Sequence, residues 1–217
     1  IKQLIEEQPK TKVLSIVELG PGNGDMALDI VSELCRISPE TVDRLELVLI
    51  EPNNGMILKQ KQKLLKSLDI PIRWSSIKEL KNHPVTGIII ANEMLDALPV
   101  ERIVLRDKHL FRQGVKVNSE LGSNDLCFCE LPLSFNITET LYELERNISI
   151  KIPPSDAQSG WNTEINVSIE SWFQDLSRIL ESGPVLIIDY MLKAKSYYSS
   201  QRNNGTILAY KSQIASS

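Results

Sequence analysis

Ile16-Val17-Glu18-Leu19-Gly20-Pro21-Gly22-Asn23-Gly24 reads as an apolar strand, an acid near its end, and a turn with glycine at every second position. Asp25 then opens a run with Ala27, Ile30, Val31 and Leu34 at i, i+3, i+4, i+7 spacing, the pattern of an amphipathic helix over Asp25–Ile37. A buried strand, a glycine turn and a helix in this order form the first unit of a nucleotide-type α/β fold. Gly20, Gly22 and Gly24 let the backbone approach a ligand with no side chain in between. The spacing then separates ligands. A dinucleotide fingerprint is G-x-G-x-x-G, with a helix N-terminus aimed at a pyrophosphate. Here the run is G-x-G-x-G, and the carboxylate of Glu18 precedes it. That charge repels a pyrophosphate and attracts the ammonium and sulfonium groups of S-adenosylmethionine (SAM). SAM is therefore the expected cofactor. NAD or FAD, and a tight strand–helix turn with no ligand, are the alternatives.

The same alternation continues outward. Leu45–Glu51, Pro71–Trp74, Gly87–Ala91 and Val185–Asp189 read as further strands, and Asn54–Leu68 and Ser168–Glu181 as helices. Continuous apolar strands alternating with helices predict a mostly parallel sheet covered on both faces. Glu93–Leu98 reads as a short helix closed by Pro99, and Ile1–Leu4 as helical. Residues 101–165 break the rhythm. Arg102–Arg106, Leu110–Val117 and Leu126–Leu131 read as antiparallel strands, with turns at Gly114 and Ser119–Asp125. Thr140–Arg146 reads as a helical turn or two, and Pro153 to Gly160 as a loop. The expected organisation is one domain over 1–217, with 101–165 inserted over the carboxyl edge of the sheet, where ligands bind in such folds.

Bulk composition narrows the partners. At 217 residues with net charge −4, nothing suggests nucleic acid or an anionic membrane surface. No apolar run approaches the roughly 20 residues of a membrane span. Cys35, Cys127 and Cys129 are an odd count and fit free thiols in a reducing compartment. His83 and His109 stand in no ligand pattern, so no metal is expected. Three N-x-S/T triplets, at Asn136, Asn147 and Asn166, are read as chance matches. The chain begins without Met and ends soon after an apolar run, which suggests a piece of a longer protein.

Several polar residues stand at strand ends. Glu51 follows the second strand, where an acid accepts hydrogen bonds from ribose hydroxyls; a capping turn at Glu51-Pro52-Asn53 is the alternative. Ser75 and Ser76 follow the third strand, beside Trp74, in the neighbourhood expected for an adenine ring; the alternative is a helix N-cap. Asn92 and Glu93 follow the fourth strand, and Asp96 lies one helical turn beyond Glu93. Two carboxylates there suit a guanidinium, which binds acids through a bidentate fork. The alternative is that Asn92 caps a short helix and both acids face solvent. Asp189-Tyr190 ends the fifth strand and is a candidate lining of an acceptor pocket. Trp172 fits the apolar stripe of its helix.

Together these segments resemble one family. Glu18-Leu19-Gly20-Pro21-Gly22-Asn23-Gly24, Glu51-Pro52, Trp74, Ala91 through Val100, Ile187-Ile188-Asp189-Tyr190 and Gly205-Thr206 look like the MidA family of class I SAM-dependent methyltransferases. The resemblance runs in order from about residue 13 to residue 210, and the Asn-Glu-Met-Leu-Asp-Ala-Leu-Pro run is its most specific part. It implies a seven-stranded Rossmann-like sheet with an insertion. It implies SAM bound by Glu18, Gly20, Gly22, Gly24 and Glu51, with Asn92 and Glu93 near the methyl group. It also implies a protein arginine as acceptor, since mitochondrial members assemble complex I by dimethylating an arginine. The expected location is then the bacterial cytoplasm, or the mitochondrial matrix in a eukaryote. A non-catalytic SAM-binding assembly factor and a small-molecule methyltransferase remain as alternatives. Two positions depart from the family pattern: Met191 stands where glycine is usual, and Gln213 near a usual histidine.

Overall fold

In a computed structural model of the chain, the structure describes Gln3 and residues 13–118, 125–211 and 214–216. The expectations for Ile1–Leu4, apart from Gln3, and for a turn over residues 119–124 lie outside the described residues, as does Gln213. The chain divides into two compact units. One contains residues up to Ala97 with Glu170–Tyr190, and the other Leu98–Ile169 with Met191–Ser217.

The first unit is built on β1 (Leu14–Leu19), whose six residues are all buried. Helix α1 (Asp25–Ile37) follows, and Ala27, Val31 and Leu34 bury its apolar stripe. Strand β2 (Leu45–Ile50), helix α2 (Asn54–Ser67), strand β3 (Ile72–Ser75), helix α3 (Ile77–Asn82) and strand β4 (Val85–Asn92) come next. Later segments are α5 (Ile169–Ile179), β9 (Leu180–Ser182) and β10 (Val185–Ile188). The strands pair in the order β10-β4-β1-β2-β3, all parallel, and β9 also pairs with β4. The sheet thus holds six strands among the described residues, against the seven that the family resemblance implies. Leu14, Ile16, Leu47, Leu49, Ile88 and Ile90 pack against Ala27, Val31, Leu34 and Leu64 in one core. The chain leaves β1 on the β2 side and returns on the β4 side. The carboxyl ends of β1 and β4 therefore flank a topological switch point, where open α/β sheets bind ligands.

The second unit is an antiparallel sheet in the order β7-β6-β5-β8, with β5 Glu101–Arg106, β6 His109–Asn118, β7 Asp125–Leu131 and β8 Asn162–Ile165. Ile103, Leu105 and Ile165 pack on Ile137 and Leu141 of helix α4 (Phe135–Ile148) and on Trp161. A four-residue helix α6 (Ala194–Tyr197) and an antiparallel pair of β11 (Ala209–Lys211) and β12 (Ile214–Ser216) also belong to it.

Four local expectations are corrected. Residues 93–98 form no helix but a bend and a single turn, closed by the Ala97 N–H on the Met94 carbonyl at 3.3 Å. Gly114 makes no turn. It lies inside β6 opposite Cys129, and a Cβ there would stand 2.6 Å from Leu131 Cδ1. Glycine serves at that position as the side chain small enough for its strand neighbour. The helix read over Thr140–Arg146 extends to Phe135–Ile148, because Ser134 caps it and Ile137 and Leu141 are buried. The helix read to Glu181 stops at Ile179, where the chain turns into β9 and pairs with Val85. The sequence also hid β8, since three of its four residues are polar; all four are buried.

Candidate functional site

Because the strands of the first unit are parallel, the segments after β1, β2, β3, β4 and β10 share one edge of the sheet. The turn after β1 has Gly20, Gly22 and Gly24 at φ +65°, +51° and +78°. These left-handed conformations disfavour any residue with a Cβ, which accounts for the alternating glycines. The Gly20 N–H donates to the Ile50 carbonyl at 3.1 Å, and the Gly24 N–H to the Pro21 carbonyl at 2.7 Å. A Cβ on Gly22 would meet no atom within 4 Å, so open space stands over the middle of the loop.

Glu18 lies in β1 and is only 3% exposed. Burial raises its carboxyl from the usual carboxylate range to about 7, against the lowering pull of the Ala27 backbone N–H. Its Oε2 is buried with no hydrogen-bond partner. An unpartnered buried carboxylate oxygen is costly to the folded chain and complementary to a cation.

Glu51 follows β2 and is fixed by the chain itself. Its Oε1 accepts from the Asn53 N–H at 2.8 Å, while the Asn53 side chain caps α2 through the N–H groups of Gly55 and Met56. The link between Glu51 and the glycine loop is Gln60, a fully buried residue of α2 that the sequence did not single out. Its Nε2 donates to the Gly22 carbonyl at 2.7 Å and reaches Glu51 Oε2 at 3.4 Å. Its Oε1 accepts from Trp74 Nε1 at 2.8 Å. One amide thus joins the loops after β1 and β2 to the end of β3. Nothing in Lys59-Gln60-Lys61-Gln62 separates this glutamine from a solvated helix face.

Ser75 and Ser76 are engaged in capping α3. The Ser76 hydroxyl accepts from the Glu79 N–H, the Glu79 carboxylate accepts from the Ser76 N–H at 2.9 Å, and Ser75 Oγ donates to the same Oε2 at 3.0 Å. This reciprocal capping box pulls the Glu79 carboxyl below its usual range, chiefly through the Ser75 bond.

Asn92 is the half-buried last residue of β4. Glu93 and Asp96 are both exposed. With no helix present, the one-turn spacing that would place the two acids on one face is lost. Asp189 gives this segment its shape. Its Oδ2 accepts from the N–H groups of Leu95 at 2.9 Å and Asp96 at 3.3 Å, and its Oδ1 from that of Tyr190 at 2.7 Å. The Glu93 N–H donates to the Ile188 carbonyl at 2.8 Å, and Glu93 takes φ +46°. Those bonds replace the intrahelical bonds that a helix over 93–98 would need. Asp189 therefore holds the Asn92–Ala97 segment by its backbone. Met94 reaches back over the glycine turn, its Cγ 3.5 Å from where a Gly20 Cβ would stand.

Among the described residues no group of three or more His, Cys, Asp or Glu side chains is placed to hold a metal. No helix of the described residues is long and apolar enough to cross a membrane.

Residues 2–217 match the model of a family described as "Putative S-adenosyl-L-methionine-dependent methyltransferase". Two solved structures from Burkholderia thailandensis are similar to the chain. One, a COG1565 superfamily member bound to S-adenosyl-homocysteine, aligns at TM-score 0.76 and 21% identity over 99% of this chain and 51% of its own. The other, an uncharacterized protein of the same superfamily, aligns at TM-score 0.77 and 21% identity over 100% of this chain and 53% of its own. The chain therefore spans about half the length of these structures, and at this identity the likeness establishes the fold.

Proposed function

The chain belongs to this family, and we propose that it binds SAM at the shared sheet edge and acts as a MidA-type methyltransferase on a protein arginine. The observation that carries the cofactor reading is the buried Glu18 carboxylate. Its unpartnered oxygen belongs to a residue two positions before Gly20, the first of three left-handed glycines. The donor set suits SAM: an acid for the cationic amino-acid end, bare backbone at Gly20, Gly22 and Gly24, and a second acid, Glu51, for ribose hydroxyls. Asn92 closes the edge on the β4 side. The Ser75–Ser76 backbone, fixed by its capping box, would supply the polar groups for the adenine. When bound, SAM supplies an electrophilic methyl group on its sulfonium.

The chain's own part in the transfer is orientation and charge. Glu93, next to Asn92, and Asp96, three residues on, carry exposed carboxylates. Each would attract a guanidinium, orient it and stabilise its charge. Asp189 fixes the backbone that carries them, so it acts through Glu93 and Asp96 and not on the acceptor itself. The protein works in the cytoplasm, or in the mitochondrial matrix of a eukaryote.

Calorimetry of the full-length protein with SAM, and with NAD as control, tests the cofactor; no SAM binding overturns the reading. Incubation with methyl-labelled SAM and lysate of a deletion strain tests the acceptor. Label on protein arginine supports the proposal, whereas label on small molecules alone overturns the acceptor. Glu93→Gln is expected to keep SAM binding and lose transfer. SAM binding without any transfer would favour a non-catalytic assembly factor, for which the exposure of both acids speaks.

A further inference from the structure

The second unit contains a hollow of about 720 Å³ formed by residues 195–205. Lys195, Ser196, Gln201, Arg202 and Asn203 are among its lining, which holds two cations and no acid. The segment is polar and largely irregular, yet groups of β5, β8 and Trp161 hold it at four points. Trp161 Nε1 donates to the Ser199 carbonyl at 3.1 Å. The Asn162 backbone N–H and Nδ2 donate to the Asn203 carbonyl at 3.1 and 3.2 Å. Arg102 Nη2 donates to the Asn204 carbonyl at 3.1 Å. Glu164, 3% exposed, accepts from the Thr206 N–H at 2.9 Å, from the Thr206 hydroxyl at 3.0 Å and from the Tyr197 hydroxyl at 3.2 Å.

Two consequences follow for the hollow. Its frame is preformed, so a ligand meets little ordering cost. Three of its backbone carbonyls are consumed by β5, β8 and Trp161, which leaves a lining rich in donors. Arg202 is half-buried, and neither it nor Lys195 forms an ion pair among the described residues. Two acids touch this segment: Asp156 is engaged by the Ser200 hydroxyl at 2.7 Å, and Glu164 by Tyr197 and Thr206, with Arg102 4.0 Å away. The half-buried Arg202 and the exposed Lys195, lining the hollow with several hydroxyls and amides, are complementary to an oxyanion. The volume lies within the usual range of small-ligand sites.

We propose that the 195–205 hollow is a second binding site, for an oxyanion (the phosphate or carboxylate of a small molecule or of an acidic side chain), with Arg202 and Lys195 as its charged ligands. The proposal is argued from the second unit alone and does not rest on the cofactor reading.

The test is calorimetric titration of the full-length protein at low ionic strength with inorganic phosphate and, separately, with a capped tri-glutamate peptide. At least one probe is expected to bind with Kd on the order of 1 mM or tighter. Binding is expected to weaken about tenfold or more in Lys195→Gln/Arg202→Gln, and by no more than about threefold in Arg202→Lys, which keeps the charge. Phosphate binding alone would identify a small oxyanion, and peptide binding alone an acidic side chain; both support the site. The absence of binding by either probe, or equal binding to parent and double variant, overturns it. Thermal melting of each variant separates loss of charge from loss of fold. Both replaced side chains stand in no described hydrogen bond, so the midpoints should stay within a few degrees of the parent.

Discussion

Replacing Gln60 by methionine isolates the junction that joins the glycine turn to Glu51. The two side chains have similar length and volume, so the cavity term is small. What disappears are the 2.7 Å bond to the Gly22 carbonyl, the 2.8 Å bond from Trp74 Nε1 and the longer 3.4 Å contact with Glu51 Oε2. A typical intramolecular hydrogen bond contributes about 1 kcal/mol net, and a buried group left unpaired costs about 1–3 kcal/mol. Gly22 is exposed and Trp74 half-buried, so water can reach part of what is lost, and the lower end applies. The expected destabilisation is about 2–3 kcal/mol by urea denaturation, with an unchanged slope. Affinity for SAM should fall by more than the stability loss alone explains, about tenfold at a temperature where the variant is fully folded, because the Gly22 loop is no longer tied to Glu51. A variant within about 0.5 kcal/mol of the parent that binds SAM equally well would refute a structural role for this amide.

Glu18 sets a pH dependence. Its carboxyl titrates near 7 in the folded chain against 4.5 for an unperturbed glutamate, so between these values the folded state holds a proton that the unfolded state releases. Stability should therefore fall as pH rises from about 4.5 to 7, by about 3 kcal/mol from this group, and level off above. Glu18→Gln should flatten that slope in denaturation curves while weakening SAM binding at least tenfold; a slope that persists would assign the titration elsewhere. Gly205→Ala places a Cβ 2.1 Å from Glu164 Oε1 at φ +70°. It should cost about 2 kcal/mol, and a melting point equal to the parent's would contradict the packing. Asp189→Ala removes the acceptor of the Leu95, Asp96 and Tyr190 N–H groups. Hydrogen exchange at Leu95 and Asp96 should accelerate at least tenfold, and unchanged protection would show that Asp189 does not hold the segment.

The elements legible in the sequence are those whose signal is local. The helix Asp25–Ile37 is bounded in the structure as its apolar spacing predicts, and Leu45–Ile50 falls one residue short of the expected strand end. The segment 93–98 failed for a physical reason. Its helix propensity competed with a carboxylate 94 positions away in the chain, and the backbone donors went to Asp189. Likewise, Asn162-Thr163-Glu164-Ile165 carries no strand pattern, because Asn162 and Glu164 find their partners at Tyr197, Asn203 and Thr206, far along the chain. The Ser75-Ser76 pair shows a milder case, in which the cap alternative was visible in the spacing to Glu79.

By itself the sequence determined the strand–glycine–helix unit, the acids that end β1 and β2, and the α/β class, because burial periodicity and glycine stereochemistry act within a few residues. The tertiary structure alone decided what holds those pieces together. Gln60 ties the turn at Gly22 to Trp74, Asp189 shapes the segment bearing Glu93 and Asp96, and Glu164 secures the loop that bears Arg202. Each of these is a polar group whose partner lies far along the chain. Hydrogen bonding of a buried group is dictated by what the fold brings beside it, and no local pattern records that.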